Sequence, residues 1–239
     1  VIYHSDALSF LSNIESYSID LIYSDVPFGT GNKFKDYDDS IDIDFTPILL
    51  ECKRVLKPTG LIYIHCDYNI SHSMKLNMDE IFGKDNFRNE IIWHYNSAPR
   101  KKKDFGKRHD TIFRYSLSDN YFFNVDSKYI RQPYSSTAPR GYAKEKYYNE
   151  AGKVLDDVWN IPMLGQNDKT ERVGYSTQKP LALLYPIIDS SCPNDGIVLD
   201  MFMGSGTTLV ASKILKRRFI GCDINDKALD ICRDRLNRV

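Results

Sequence analysis

Short apolar runs alternate with stretches of helical spacing along much of this chain. Ile19 to Tyr23, Leu61 to His65, Ile197 to Leu199 and Arg218 to Cys222 read as buried strands. Val1 to Tyr3 reads as an edge strand, and its abrupt start suggests a missing leader. Ala7 to Ile14, Phe45 to Leu56, Ile70 to Ile81 and Asn225 to Leu236 have helical spacing. Another helix starts around Pro180, where proline is tolerated, and buries Leu181, Leu184, Ile187 and Ile188. Pro58-Thr59-Gly60 and Gly83 end two of these helices, and Asn225 or Asp226 caps the last. Repeated strand–helix steps predict an α/β fold with a mostly parallel sheet. Glu90 to Tyr95 and Thr111 to Tyr115 are further strands, joined by a long hairpin with a basic tip or by a wide, ligand-wrapping loop. Residues 116–173 break the rhythm and predict a small irregular or helical lobe, closed by Asp157 to Pro162.

The stretch from Ile197 to Val210 combines an apolar run, Asp200, the loop Met201-Phe202-Met203-Gly204-Ser205-Gly206 and a resumed apolar segment. It predicts strand, tight turn and helix, with Thr207 and Thr208 opening the helix. The next strand ends at Asp223, which completes half of a nucleotide-type site. Two glycines are not the G-x-G-x-x-G set, and no Gly-Lys-Ser/Thr follows, so neither NAD nor ATP is indicated. Ser24 to Gly31 forms a second loop at the carboxyl end of a strand, where ligands sit in open α/β sheets. The acid-rich segment 32–44 then reads either as a solvated linker or as a lid that orders on substrate.

Charge changes the picture. Lys plus Arg equals Asp plus Glu, at 32 each, but residues 1–90 hold 15 acids against 8 bases. The remainder is therefore basic, and residues 94–115 carry seven Lys or Arg against two acids. Such a region directs a neutral protein to phosphates. No stretch has the length of a membrane span. Five scattered cysteines read as buried small groups in a reducing, cytoplasmic setting, and they suggest no metal cluster. His65 and Cys66 end a strand near the second loop, where lining a cofactor pocket and core packing are open alternatives.

Asp200 to Thr208 resembles the cofactor motif of the S-adenosylmethionine-dependent DNA amino-methyltransferases. Asp25-Val26-Pro27-Phe28 resembles their catalytic Asp-Pro-Pro-Tyr motif, and its position before the cofactor motif matches the β class of restriction–modification systems. Arg54 to Gly60, Trp159 to Pro162 and Thr177-Gln178-Lys179-Pro180 are further matches. The resemblance implies a Rossmann-like fold of seven strands, mostly parallel with one antiparallel, circularly ordered so that the cofactor motif comes late. It implies a catalytic half, 1–118, an inserted target-recognition lobe, 119–173, and a cofactor-binding half, 174–239. Flexible loop 32–44 and basic loop 96–109 belong to the first.

By the same resemblance, Thr177 to Pro180 and Phe202 to Gly206 surround the methionine part of S-adenosylmethionine. Asp200, Thr207 and Thr208 belong to the same site, Asp223 takes the ribose, Asp6 reaches the adenine amino group and Asn225 adds a contact. An exocyclic amine is a poor nucleophile because its lone pair is delocalised into the ring. Asp25 and the carbonyl of Val26 or Pro27 would accept its two N–H bonds and aim the lone pair at the methyl group, while Phe28 stacks on the base. Val26 and Phe28 replace the family's usual Pro and Tyr. The target must leave the duplex to reach this pocket. Arg100, Lys101, Lys102, Lys103, Lys107 and Arg108 would grip phosphates, and Arg131, Gln132, Arg140 and Lys144 would read or position within the lobe. Asp25 favours N6 of adenine, with cytosine N4, RNA, a protein amide and a silent DNA-binding subunit as alternatives. Double-stranded DNA is the expected partner, and the family adds a homodimer and a cognate restriction endonuclease as candidates. Neither a membrane nor a metal is called for.

Overall fold

A computed structural model describes residues 1–31, 39, 43–96, 102–134, 149–165 and 167–239. The first half runs β1 (Ile2–His4), α1 (Ala7–Ser12), β2 (Ile19–Asp25), α2 (Thr46–Val55), β3 (Leu56–Cys66) and α3 (Ser71–Phe82). Two long strands follow, β4 (Phe87–His94) and β5 (His109–Ser116), then three short ones, β6 (Arg131–Gln132), β7 (Lys153–Val154) and β8 (Val158–Asn160). The chain ends with α4 (Leu181–Ser191), β9 (Ile197–Asp200), α5 (Thr207–Ile214), β10 (Arg218–Asp223) and α6 (Asp226–Asn237).

The main sheet has the order β1-β10-β9-β2-β3-β5-β4-β8. Every neighbouring pair is parallel except the two that involve β5, so one strand runs against the rest. From β9 the chain proceeds outward to β10, and from β2 it proceeds the other way to β3. The β9–β2 junction is therefore a topological switch point, with a crevice at the carboxyl ends.

Strand alternation sends Ile22 to one face, and Leu21 and Tyr23 to the other. Helices α1, α2 and α3 cover the first face through Phe10, Leu11, Leu49, Cys52, Met74 and Met78. Helix α4 covers the second through Leu183, Leu184, Ile187 and Ile188, while α5 and α6 pack around Leu209, Leu229 and Cys232. A sheet buried on both faces explains why its central strands are continuous apolar runs.

Three expectations are corrected. The main sheet has eight strands, not seven, because Val158–Asn160, assigned to the lobe, pairs with Ile92–His94. Trp93 and Trp159 face each other across that pairing, and burying both rings draws the segment onto the sheet edge. Pro58-Thr59-Gly60 lies within β3, because Leu56 already pairs with Ile19 before a register shift. Pro180 is extended and caps α4 from outside rather than sitting inside it. β4 and β5 pair antiparallel up to His94 with His109, which both forms offered for the basic stretch allow, and residues 97–101 lie outside the described residues. Helix α6 is capped by Asn225, whose side chain accepts from the Lys227 N–H.

All five cysteines are buried and unbridged, and burial pushes the Cys192 and Cys232 thiols up to about 12. No described helix is long and apolar enough to cross a membrane.

Asp20 is a buried acid that ties three strands together. It accepts Lys57 Nζ at 2.8 Å and the Ile197 N–H at 2.8 Å. Asp20→Ala leaves both donors without their partner. It should lower unfolding free energy by roughly 1–3 kcal/mol, read by chemical denaturation. A change below ~0.5 kcal/mol would show that water replaces the carboxylate.

Candidate active site

The crevice at the switch point is a cleft of about 620 Å³. Asp25, Val26, Pro27 and Phe28 line one wall, with Asp200, Phe202, Gly204, Ser205, Thr207 and Thr208 along the next. Thr177 and Lys179 reach in from the segment before α4, and Asp6, Asp223 and Asn225 stand at the far end. Three sequence candidates lie outside this lining. Gln178 is buried and spends its amide on the Val173 N–H and the Glu171 carbonyl, both at 2.9 Å. Pro180 and Gly206 serve as the caps of α4 and α5.

A clasp between β2 and β9 brings the two loops together. Ser24 Oγ donates to Asp200 Oδ1 at 2.9 Å and accepts the Met201 N–H at 3.0 Å. Asp200 also accepts the Phe202 N–H at 3.1 Å, which turns the loop away from the strand. Farther round, Gly204 donates its N–H to Asp223 Oδ2 at 2.9 Å, and Asn225 donates its N–H to Oδ1 at 2.9 Å. Gly206 has φ +77°, and a Cβ there would meet Cys232 Sγ at 2.1 Å, so only glycine fits. Arg235 braces the turn from beneath, donating to the Ser205 carbonyl at 2.8 Å and Thr207 Oγ1 at 3.0 Å. Thr207 Oγ1 in turn donates to the Lys179 carbonyl at 3.1 Å, which joins the third segment to the glycine loop.

Lys179 Nζ forms an ion pair with Asp25 Oδ2 and lies 5.6 Å from the centre of the Phe28 ring. Asp25 Oδ1 is buried with no hydrogen-bond partner, while the side chain as a whole is 21% exposed. Val26 is buried in the core and donates its N–H to the His65 carbonyl at 3.2 Å. Strand pairing and packing thus restrain the position where the family's proline is absent. Asp6 caps α1 by accepting the Ser9 N–H at 2.9 Å, and that bond holds its carboxyl below the ordinary value.

One contributor was hidden among the acids of segment 32–44. Asp39 is 1% exposed and accepts the N–H groups of Phe28, Gly29 and Thr30 at 3.0, 3.2 and 3.0 Å, and Thr30 Oγ1 at 2.6 Å. It shapes the loop that follows Asp25-Val26-Pro27. Nothing local distinguishes it from Asp36, Asp38 or Asp42, which lie outside the described residues.

Of the proposed phosphate contacts, Lys102, Lys103 and Lys107 are exposed near the end of the β4–β5 hairpin. Lys107 Nζ sits 3.6 Å from the centre of the Tyr68 ring. Arg108 holds the hairpin through its carbonyl, which accepts the Tyr95 N–H at 2.9 Å. Arg131 is engaged by nearby backbone, donating to the carbonyls of Gly152 and Val125, and Gln132 donates to Asp156 at 3.1 Å. Arg100, Lys101, Arg140 and Lys144 lie outside the described residues. Among the described residues no group of three or more His, Cys, Asp or Glu could hold a metal ion.

The model of the N6_N4_Mtase family, described as DNA methylase, matches residues 19–234. This chain belongs to that family. It is 34% identical to Type II methyltransferase M.HpaI of Haemophilus parainfluenzae, over 98% of this chain and 73% of the relative. It is 32% identical to DNA adenine methyltransferase YhdJ of Escherichia coli K12, over 99% of this chain and 82% of the relative. The M1.HpyAVI–SAM complex has the same fold, with TM-score 0.67 and 24% identity over 99% and 98% of the two chains. So does the cytosine-N4-specific PvuII DNA methyltransferase, with TM-score 0.69 and 16% identity over 99% and 92%.

Burial pushes the Asp200 carboxyl up to about 7 despite its hydrogen bonds. The folded state therefore holds this proton more tightly than the unfolded chain. The resulting stabilisation is full below the ordinary value of 3.8 and is lost as pH rises through about 7. Asp200→Asn should flatten the fall in stability between those limits, compared with the parent by denaturation midpoints across pH without cofactor. Parallel curves for the two proteins would refute the assignment.

Proposed function

We propose that this DNA methyltransferase modifies the N6 amine of an adenine flipped out of double-stranded DNA. One observation carries the reading: the Asp25 carboxylate and Gly204 of the glycine loop, 179 residues apart in the chain, line one cleft. S-adenosylmethionine is the cofactor, and when bound it supplies a methyl group already activated on a positively charged sulfur. The residues present fit it. Each Asp223 oxygen accepts one backbone N–H and keeps a lone pair for a ribose hydroxyl. Ile224 is 67% exposed at the same end and offers an apolar face to an adenine ring.

The chain's own part is to hold an amine. Asp25 accepts an N–H of the substrate amine, and a main-chain carbonyl of Val26 or Pro27 accepts the other. The nitrogen lone pair is then turned out of conjugation toward the cofactor end of the cleft. Positive charge builds on that nitrogen as it acquires the methyl group, and the Asp25 carboxylate favours it. Lys179 keeps the carboxylate at the cleft wall. Phe28 offers its ring face to the base.

Ser24 supports adenine over cytosine. Its hydroxyl is fully buried and committed to Asp200 and Met201, so Asp25 is the polar side chain of this pair that faces the cleft. The name of YhdJ points the same way. Exposed Lys102, Lys103 and Lys107 support phosphate contact, and a homodimer and a companion endonuclease remain part of the proposal.

Labelled S-adenosylmethionine should methylate duplexes whose only exocyclic-amine target is adenine. Asp25→Ala should reduce the rate on the order of 10²–10³-fold with cofactor binding retained. Label recovered on cytosine alone would overturn the adenine assignment.

A further inference from the structure

Behind Asp25, a polar row crosses three strands and ends at Tyr95, just past β4, inside an otherwise apolar face. Tyr23 and Asp25 leave β2 on the same side, two residues apart, and His65 on β3 is the register partner of Asp25. His65 is fully buried. Its Nδ1 lies 2.8 Å from Tyr23 Oη and 3.6 Å from Asp25 Oδ1. Its Nε2 lies 3.2 Å from Asp110 Oδ2 on β5, and Asp110 Oδ1 accepts Tyr95 Oη at 2.9 Å. Trp93 packs edge-on against the imidazole at 5.5 Å, and Phe28 lies 6.2 Å away on the cleft side.

A polar row in such a place has a cost. Burial drives the Asp110 carboxyl up, but the hydrogen bond and charge of His65 outweigh it and hold the group below its ordinary value. Burial, then the charges of Asp25 and Asp200, push the Tyr23 phenol far up, so it stays a neutral hydroxyl. An apolar core would avoid these costs. The row ends against Asp25 Oδ1, the buried oxygen that has no hydrogen bond of its own.

We propose that His65 is a positioning residue for methyl transfer, held by Asp110 and Tyr95 so that it backs the inner oxygen of Asp25 and turns the outer one into the cleft. The proposal rests on the reading of Asp25 as the acceptor of the substrate amine. Lys179 pairs with Oδ2 while His65 stands beside Oδ1, so each oxygen has a different neighbour. A carboxylate with both oxygens located cannot swing when the base arrives, and an error of an ångström there is expensive in rate. At 3.6 Å from Asp25 Oδ1 and 2.8 Å from Tyr23 Oη, Nδ1 would have to move closer to the carboxylate when substrate binds, as catalytic contacts often do.

The test compares His65→Leu, His65→Gln, Asp110→Leu and the double variant His65→Leu/Asp110→Leu. Steady-state methyl transfer is measured alongside cofactor binding, duplex binding and thermal melting. His65→Leu should lower kcat roughly ten- to hundredfold, with KM for DNA and cofactor changed less than about threefold. His65→Gln, which restores a donor, should recover part of that loss. Asp110→Leu should fall in the same range, and the double variant should be no worse than His65→Leu alone, because the row acts as a unit. If His65→Leu fails to fold, the His65→Gln and Asp110→Leu variants still decide. Wild-type kcat in the variants, losses that track melting temperature and binding together, or additive losses would overturn the proposal. So would a wild-type protein whose transfer is insensitive to Asp25→Ala. That result would first remove the reading of Asp25, and it is distinguishable because the His65 variants need not be made to see it.

Discussion

The hydroxyl of Ser24 holds the site together. Strands β2 and β9 share two register pairs, Leu21 with Val198 and Ile22 with Leu199. Past that point the chains would diverge into their loops. Ser24 extends the connection by bonding both to the Asp200 side chain and to the Met201 N–H. Because strand residues alternate in direction, the same geometry that turns Ser24 toward Asp200 turns Asp25 the other way, toward Lys179 and His65. One serine thus fixes the spacing of the loops and the face on which the acid appears.

The rest of the cleft follows from this spacing. The glycine loop can pass close to a ligand only if its own backbone groups are satisfied, and Asp200, Asp223 and Arg235 do that from below. The segment before α4 joins through Thr207 and the Lys179 carbonyl, which sets the lysine side chain opposite Asp25. Buried acids are costly, yet Asp200 and Asp223 organise backbone N–H groups that would otherwise need water. Asp39 does the same for Phe28 to Thr30.

What could be read from the residues follows the same division. Strands β2, β9 and β10 and the glycine loop announce themselves because a buried parallel strand must be an apolar run and its loop must be small. The meeting of the Asp25 and Gly204 loops was legible once strand ends were recognised, since ligands gather at carboxyl edges. Strand β8 was not. Three residues have no usable period, and its partner β4 lies more than sixty positions earlier. Leu56 was assigned to a helix because the Pro and Gly that follow look like a turn, whereas pairing with Ile19 had already begun. The His65–Asp110 contact spans 45 positions and depends on the antiparallel register of β3 with β5, where His65 faces Ile112. No local pattern encodes such a register.

Several acids of this chain, which has no net charge, are withdrawn from its surface. The acidic excess lies in residues 1–90, but Asp20, Asp39 and Asp67 from that part are buried and bonded. Asp20 is paired with Lys57, Asp39 with backbone N–H groups, and Asp67 with Asn69. Asp110 and Asp200 are likewise sunk among donors. Lys102, Lys103 and Lys107 instead stand exposed near the end of the hairpin. Screening limits a phosphate to charges within about 8–10 Å at ordinary salt. At that range a phosphate beside the hairpin would meet Lys102, Lys103 and Lys107 together with the exposed Asp104. Sinking acids such as Asp39 and Asp200 among donors is thus one way in which a chain of neutral composition can leave lysines exposed on its hairpin.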